Sequence, residues 1–364
     1  MGGPCSGFGT CDLVVAEATT LIAIFEPQGS VLWSFKPELS GPVNSQEAVI
    51  LPVALATNSL DETAVVGARI GKSDFGGGQL ETGNTIGSQE VFVAQYSASG
   101  SHLWSNAYLD QGFGEAIANA VAFTSDDELV VVARFEESLN FGGPGDALDG
   151  TVVRRFLARL APDGSHISST GFEGQPEEKS LIVLNEDDEV MVSDHRSRYD
   201  WFNAADSIDR TLQPSPTASS DLSIGALDGF GRAIVAGSMS NQIDFTPSVN
   251  GGDFGEDGEL HGYIVKLNWD GTYHSGTDKA RGVECIASDP KGDGSYYIVG
   301  STPEMMTLGG GVVINPMGTR DGTWPSSATA MRLSGGWLCH LAPRAALPPV
   351  LSMLEVTWSL AAHF

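Results

Sequence analysis

The hydrophobic and polar positions of this chain fall into short runs separated by Gly, Ser, Asn or Asp turns. Short alternating or continuous apolar runs predict β-strands, and two runs joined by a tight turn predict a β-hairpin. One pattern, hairpin A, recurs with a turn glycine, where the backbone needs a residue that tolerates positive φ. Its copies are LIAIFEPQGSVLW (21–33), VFVAQYSASGSHLW (91–104), RFLARLAPDGSHIS (155–168), YIVKLNWDGTYHS (263–275) and a fainter ATAMRLSGGWLCH (328–340).

A second pattern, hairpin B, has an apolar strand, an Asp, Asn or Gly turn, and a second strand rich in Val and Ile. One hairpin of each type supplies four strands, which is the content of one propeller blade. The sequence therefore predicts an all-β fold, a β-propeller of about five to six four-stranded blades, with closure of the ring left open. The copies of hairpin B span residues 53–69, 120–135, 180–195, 223–238 and 284–301.

The segments between the hairpins vary more than the hairpins do. Gly-rich connectors such as SDFGGG (73–78) and NFGGPG (140–145) separate hairpin B from the next hairpin A, and we expect flexible or coiled loops at one face. No hairpin A is recognisable between Gly164 and Gly271. We therefore predict that one copy is lost or has diverged within residues 197–220.

The repeat pattern sets the expected domain organisation. Residues 1–340 are predicted to form a single propeller-like repeat domain that is degenerate around 196–220. Residues 341–364 do not follow the repeat, and they are interpreted either as a terminal strand that closes the array or as sequence foreign to it.

The hairpin VFVAQYSASGSHLW, the AVAF and LIVL strands with their Asp turns, and the SDFGGG and NFGGPG connectors resemble the bacterial β-propeller repeat family called SBBP. They are also similar to Gly-rich surface-protein repeats of myxobacteria and related bacteria, and the resemblance covers roughly residues 11–340. It implies an extracellular or cell-surface propeller, and it offers no shared catalytic residues to carry over. The start MGGPCSGFGT nevertheless lacks the basic and apolar regions of a signal peptide.

Charge restricts the classes of partner. The formal net charge is −27, from 46 acidic and 19 basic residues, which argues against nucleic acid and anionic membranes because both require clustered Lys and Arg. No run reaches the 18 or so apolar residues of a membrane helix, so we expect no membrane insertion. The acid excess indicates solubility in an extracellular or saline medium, or alternatively cation binding.

The acidic turns are the best sequence candidates for a metal. In DPKGDG, Asp289 and Asp293 occupy positions 1 and 5 of an EF-hand-like loop and Gly294 occupies position 6. Lys291 takes position 3, where calcium needs an oxygen ligand, so calcium is the weaker interpretation there. Asp and Asn in hairpin turns are also expected on backbone grounds alone.

The cysteines suggest little chemistry. Cys5 and Cys11 could close a small disulfide loop in an oxidising compartment. Cys285 replaces an apolar residue of a repeat strand and is interpreted as core. Cys339 is left ambiguous.

Aromatic and histidine side chains give the remaining candidates. Trp33 and Trp104 share one repeat position and are expected to pack between blades, whereas Trp201 and Trp324 are expected in connectors, where they could contact a partner. His102 and His166 occupy a position that holds Val or Tyr in other copies, which indicates a strand surface rather than a catalytic site.

These observations favour a non-enzymatic binding module that recognises a protein or glycan through its loop face. No cofactor is expected. The alternatives are a propeller-type enzyme, such as a hydrolase, lyase or quinone-dependent dehydrogenase with a site at the channel mouth, and a structural spacer of a longer surface protein.

Overall fold

All regular elements that the structure describes are β-strands, and the described residues include no helix that could span a bilayer. The computed structural model describes residues 22–25, 31–40, 48–80, 89–110, 115–136, 138–141, 147–149, 155–173, 180–193, 198–214, 220–239, 242–246, 253–254, 261–277, 283–288, 296–300, 306–308, 312–314, 329–333 and 338–339.

The described residues form two compact units, one up to Glu173 and one from Ser180, and each is treated by itself. The strands of the first unit are β1 (Ile22–Phe25), β2 (Val31–Phe35), β3 (Glu38–Ser40), β4 (Val49–Thr57), β5 (Thr63–Ile70), β6 (Lys72–Asp74), β7 (Gln79–Leu80), β8 (Glu90–Tyr96), β9 (His102–Asp110), β10 (Ile117–Phe123), β11 (Leu129–Arg134), β12 (Ser138–Asn140), β13 (Ala147–Asp149), β14 (Arg155–Leu160) and β15 (His166–Phe172).

The second unit continues the same alternation of long and short strands. Its strands are β16 (Leu181–Leu184), β17 (Val190–Ser193), β18 (Tyr199–Phe202), β19 (Ile208–Leu212), β20 (Ser220–Leu227), β21 (Ala233–Met239), β22 (Ile243–Asp244), β23 (Asp253–Phe254), β24 (His261–Leu267), β25 (Tyr273–Thr277), β26 (Val283–Ser288), β27 (Tyr296–Gly300), β28 (Met306–Leu308), β29 (Val312–Ile314), β30 (Thr329–Leu333) and β31 (Leu338–Cys339).

Five four-stranded antiparallel meanders, here called blades 1 to 5, are built from the described residues. In each blade, hairpin B supplies the first two strands and hairpin A the last two, which confirms the prediction of an all-β fold of four-stranded blades. A short hairpin, β12–β13, extends blade 1 beyond β9. The blades are β4-β5-β8-β9, β10-β11-β14-β15, β16-β17-β18-β19, β20-β21-β24-β25 and β26-β27-β30-β31.

The two middle strands of a blade carry its core. In blade 1, TAVVGARI of β5 and EVFVAQY of β8 are buried along almost their whole length, because both faces of these strands are covered. The last strand is more exposed, as in β19, where every residue is exposed or half-buried. First strands of neighbouring blades lie side by side within each unit, β4 beside β10 and β20 beside β16 and β26.

Eight described hairpin turns share one geometry. The backbone N–H of the first residue donates to the carbonyl of the fifth, and the N–H of the fourth donates to the carbonyl of the first. The fourth residue has positive φ, from 56° at Asp206 to 81° at Gly164 and Gly271. This arrangement is a type I turn followed by a left-handed residue, which suits the twist of a hairpin. The turns are 58–62, 97–101, 124–128, 161–165, 185–189, 203–207, 228–232 and 268–272.

Four Gly-rich connectors contain short hairpins among the described residues, and these begin with β6, β12, β22 and β28. The first three are here called wedge hairpins. Each places a buried phenylalanine directly after an Asp or Asn, namely Phe75, Phe141 and Phe245. The Phe141 ring lies 4.9 Å from Tyr108 of blade 1 and 4.9 Å from Phe156 of blade 2, between centroids. The expectation of flexible or coiled loops is therefore incomplete, because each of these connectors also contributes paired strands and a buried ring. Their aromatic rings pack into the cores of adjacent blades.

Blade 3 contains the hairpin A that the sequence conceals. β18 pairs with β19, so of the two alternatives predicted for this stretch, loss or divergence of the hairpin, the structure shows divergence. Its turn has Asp206, with φ of 56°, where other copies of hairpin A have glycine. No wedge hairpin fits between β17 and β18, and the spacing from Gly164 to Asp206 is consequently only 42 residues.

A tryptophan in the last strand of hairpin A covers the turn of the next copy. A Cβ added to Gly100 would lie 2.5 Å from Cγ of Trp33, and one added to Gly164 would lie 2.6 Å from Cδ2 of Trp104. The indole of Trp104 also donates from Nε1 to the carbonyl of Pro162, at 2.9 Å. These contacts confirm that Trp33 and Trp104 pack between successive repeats.

Candidate binding site at the turn of blade 4

The first residue of a hairpin B turn stabilises that turn with its side chain. Asn58 Oδ1 accepts hydrogen bonds from the backbone N–H groups of Leu60 and Glu62, at 3.0 and 2.9 Å. The amide Nδ2 of Asn58 donates to Glu62 Oε2 at 2.9 Å, and Asn185 makes the same bond to Glu189 at 2.9 Å. These polar residues thus hold the turn together, as their residue types predict.

No group of three or more His, Cys, Asp or Glu side chains within the described ranges is arranged to hold a metal ion. The weak calcium candidates Asp289 and Asp293 lie outside the described residues, so that prediction stays a prediction.

The turn of blade 4, DGFGR (228–232), departs from the other hairpin B turns. Its fifth residue is Arg232, whereas blades 1 to 3 have glutamate at that position. Its third residue is Phe230, which is 64% exposed at the tip of the turn. Among the four hairpin B turns that the structure describes, the turn of blade 4 is therefore the one with a cation at the fifth position and an aromatic ring at the third.

The buried carboxylate of Asp228 organises this turn. Oδ1 accepts from the backbone N–H groups of Phe230 and Arg232, at 2.9 and 3.1 Å. Oδ2 accepts from Arg232 Nε at 2.8 Å and from Lys266 Nζ at 3.2 Å. Burial alone would raise the pKa of Asp228, but these backbone and side-chain hydrogen bonds together lower it. The carboxylate is thus ionised and fixes two cations.

The guanidinium of Arg232 joins the aromatic tip to the last strand of the blade. Its Cζ atom lies 4.8 Å from the centroid of the Phe230 ring, within the range of a cation–π contact. Its NH1 lies 2.6 Å from Nε2 of His274 in β25. Because a guanidinium can only donate, Nε2 of His274 accepts in this contact.

Lys266 adds a second cation on an aromatic ring. Its Nζ lies 4.9 Å from the centroid of Tyr296 in β27, the second strand of blade 5. Burial raises the pKa of Tyr296 to about 12. The ring of Tyr296 is therefore neutral in the physiological range.

The cluster of Asp228, Phe230, Arg232, Lys266 and His274, here called the blade 4 patch, combines ion pairs to a buried carboxylate with an exposed aromatic face. An aromatic face suits the apolar face of a ligand. Such an arrangement can bind a ligand reversibly.

The structure places the sequence-predicted site residues elsewhere. Trp201 lies in β18 rather than in a connector and is 1% exposed, so its indole packs in the core of the second unit and the expectation of an exposed aromatic is wrong. Trp324, Cys5 and Cys11 lie outside the described residues. Cys285 lies in β26 and Cys339 in β31.

The two repeat histidines contact wedge hairpins. His166 stacks on Phe141, with ring centroids 5.1 Å apart and an angle of 14° between the planes. His102 lies against Gly76, and burial lowers its pKa while Asp74 opposes that shift. These contacts agree with the interpretation that the two histidines occupy a structural position on a strand surface. In each case the residue that the histidine contacts belongs to a wedge hairpin.

Sequence reasoning missed the blade 4 patch because its members lie on one turn and two strands. In the sequence, Asp228 is an ordinary turn aspartate, and the change from glutamate to Arg232 at the fifth turn position does not by itself indicate a site. The contact between Arg232 and His274 joins residues 42 positions apart. The sequence signal that could have revealed the patch is the change from glutamate to Arg232 at the fifth position of the hairpin B turn.

Comparison with known proteins finds only distant structural similarity. No protein-family model and no curated protein sequence matches the chain. Among solved structures, a protein of unknown function from Bacteroides caccae is 13% identical with a TM-score of 0.44, and the match covers 76% of this chain and 78% of that one. A protein from Lactobacillus plantarum is 14% identical with a TM-score of 0.41, covering 89% and 94%.

A third solved structure is the Dos1 propeller, which is 10% identical with a TM-score of 0.42 over 77% of this chain and 78% of that one. These likenesses are too distant to carry an argument about function. The chain's own strand order therefore supports the conclusion, which is an all-β protein of four-stranded, propeller-type blades.

Proposed function

We propose that the protein is a non-enzymatic binding module that recognises a protein or glycan partner through the blade 4 patch. The observation that carries the proposal is Phe230, a large apolar side chain that is 64% exposed at a turn tip. Arg232 lies over its ring, and the buried Asp228 holds that guanidinium in place.

A single exposed apolar residue is ordinary on a protein surface and needs no explanation. Phe230 differs because its surroundings are organised. A buried carboxylate that fixes two cations beside an aromatic ring lowers the conformational entropy that a ligand has to overcome on binding. Aromatic residues and arginine are also the side chains that most often dominate binding energy at interfaces.

The resemblance to exported surface repeats makes an extracellular or cell-surface partner part of the proposal. The second unit then acts as the scaffold, and the blade 4 turn is its recognition element. Turns and loops on such a scaffold are where binding residues are commonly found.

Binding of the labelled protein to arrays of defined oligosaccharides and peptides tests the proposal. We expect Phe230→Ala to weaken every specific interaction that the wild type shows. Leu60→Ala is the matched control, because Leu60 occupies the same turn position in blade 1 and is 63% exposed. Binding that is unchanged in Phe230→Ala, or equally weakened in both variants, would contradict recognition at blade 4.

A further inference from the structure

We infer that the partner of the blade 4 patch is a protein that presents an apolar surface flanked by basic residues. This inference rests on the proposed function, and it narrows the partner from a protein or a glycan to one kind of protein surface. It follows from the groups that the turn leaves exposed and from the charges beside them.

The polar groups of the turn are bonded to one another. Oδ1 of Asp228 accepts from two backbone N–H groups, at 2.9 and 3.1 Å, and Oδ2 accepts from Arg232 and Lys266, at 2.8 and 3.2 Å. All three side-chain nitrogens of Arg232 have partners within the blade, since Nε and NH2 contact Asp228 and NH1 contacts His274. A glycan surface consists largely of hydroxyl groups, and polar atoms that already have partners add little to its binding.

The group that the turn presents outward is the ring of Phe230. The residue is 64% exposed, although the guanidinium of Arg232 lies 4.8 Å from the ring centroid. Its backbone N–H donates to the buried Asp228, so the tip of the turn is fixed and less conformational entropy is lost on binding. An apolar protein surface covers this ring and requires no further hydrogen bond from the turn.

The neighbouring turns at this end of the second unit are acidic. Both hairpins of a blade turn at the same end of its sheet, because the meander is antiparallel. Nε1 of Trp269 donates to Oε2 of Glu189 at 2.6 Å, so the hairpin A turn of blade 4 lies beside the hairpin B turn of blade 3. Complementary charge favours a basic partner, and the net charge of −27 acts in the same direction. The exposed carboxylates of these two turns include Glu186, Asp187 and Asp270.

Three defined probes test the inference by isothermal titration calorimetry with the whole chain. They are a short amphipathic peptide of leucine and lysine, the same peptide with glutamate in place of lysine, and the neutral oligosaccharide maltohexaose. We expect the lysine peptide to bind about tenfold more tightly than either of the others. Phe230→Ala should weaken the lysine peptide about tenfold through the loss of apolar burial, whereas the matched control Leu60→Ala should leave it unchanged.

The contribution of the acidic turns is tested separately from that of the ring. Asp187→Asn removes an exposed charge at the tip of the blade 3 turn, and Asp126→Asn removes the corresponding charge in blade 2. We expect Asp187→Asn to weaken the lysine peptide about twofold at low salt and less at high salt, because exposed charges are screened. Asp126→Asn should have a smaller effect, since blade 2 belongs to the first unit.

The outcomes separate the two levels of the proposal. Binding of the lysine peptide that Phe230→Ala leaves unchanged would overturn the inference, because such binding would come from net charge alone. Equal binding of the glutamate peptide would overturn the choice of a basic partner. Binding of maltohexaose that depends on Phe230 would overturn the choice of a protein and leave the proposed function in place. The absence of any interaction that depends on Phe230, on the arrays as well, would contradict the proposed function itself.

Discussion

The contact between Trp33 and the turn at Gly100 gives the sharpest test of how successive repeats hold together. Gly100 has φ of 78°, and the Trp33 side chain occupies the space that a Cβ on Gly100 would need. Gly100→Ala introduces two separate costs. The first is the left-handed backbone, and the second is a Cβ placed 2.5 Å from Cγ of Trp33, well inside van der Waals contact.

The two costs can be estimated independently. A side chain in the left-handed region costs about 1–2 kcal/mol relative to glycine. Displacing a packed ring to admit one extra carbon costs about 1–3 kcal/mol more. Gly231→Ala is the matched control, since Gly231 has φ of 74° at the same turn position of hairpin B and nothing within 4 Å of the added Cβ. That variant should incur only the first cost.

Urea unfolding followed by far-ultraviolet circular dichroism, with hydrogen exchange of the β8 and β9 amides, measures the effect in the first unit. In a double-mutant cycle, Trp33→Ala should remove the second cost, so that Gly100→Ala lowers the free energy of unfolding by about 1–3 kcal/mol less in that background than in the wild type. A cost at Gly100 no larger than at Gly231, or one that Trp33→Ala leaves unchanged, would refute the contact as the reason for the glycine.

Three further predictions concern the wedge hairpin at Phe141, the buried carboxylate of Asp228 and the half-buried phenol of Tyr296. Phe141→Ala should destabilise the first unit by about 3–5 kcal/mol in urea unfolding, because it removes a buried ring. The exposed control Leu60→Ala should cost about 0.5 kcal/mol or less. Similar values for the two variants would contradict the packing of the Phe141 ring between blades. The folded-state pKa of Asp228 lies below its unfolded value of about 3.9, so its contribution to stability is complete above that pH and is lost as pH falls through the folded-state pKa. Acid unfolding curves should show this loss in the wild type and a smaller one in Asp228→Asn. Burial raises the pKa of Tyr296 to about 12, so an ultraviolet titration should show its phenol ionising well above pH 10. The protein should also lose stability as the pH rises from about 10 towards that pKa. A phenol that ionises near pH 10 in the folded protein would argue against its burial.

The hairpins were predictable from sequence because a tight turn leaves a local signal. Alternation of apolar residues and a glycine at the left-handed position identified four of the hairpin A copies clearly. The copy in blade 3 was missed because Asp206 takes that position, and aspartate is one of the few residues that tolerates the left-handed region. Trp201 was then misplaced in a connector as a consequence.

The wedge hairpins and the blade 4 patch were harder to predict for a different reason. Glycine content predicted loops, whereas the informative signal was the recurring Asp or Asn before Phe75, Phe141 and Phe245. Burial of those rings depends on partners in two blades, which no local pattern contains. The blade 4 patch likewise depends on side chains from separate strands that only the folded meander brings together.

The compact blade 3 shows that the four-stranded meander and the segment between its second and third strands are independent modules. Turn positions Gly100 and Gly164 are 64 residues apart, and Asp206 and Gly271 are 65 apart, yet Gly164 and Asp206 are separated by only 42. The same sheet therefore forms with or without some twenty additional residues at one site. That makes the connector between Ser193 and Arg198 a natural place to graft a foreign peptide, since the chain itself has already accommodated insertions at the corresponding site of other blades.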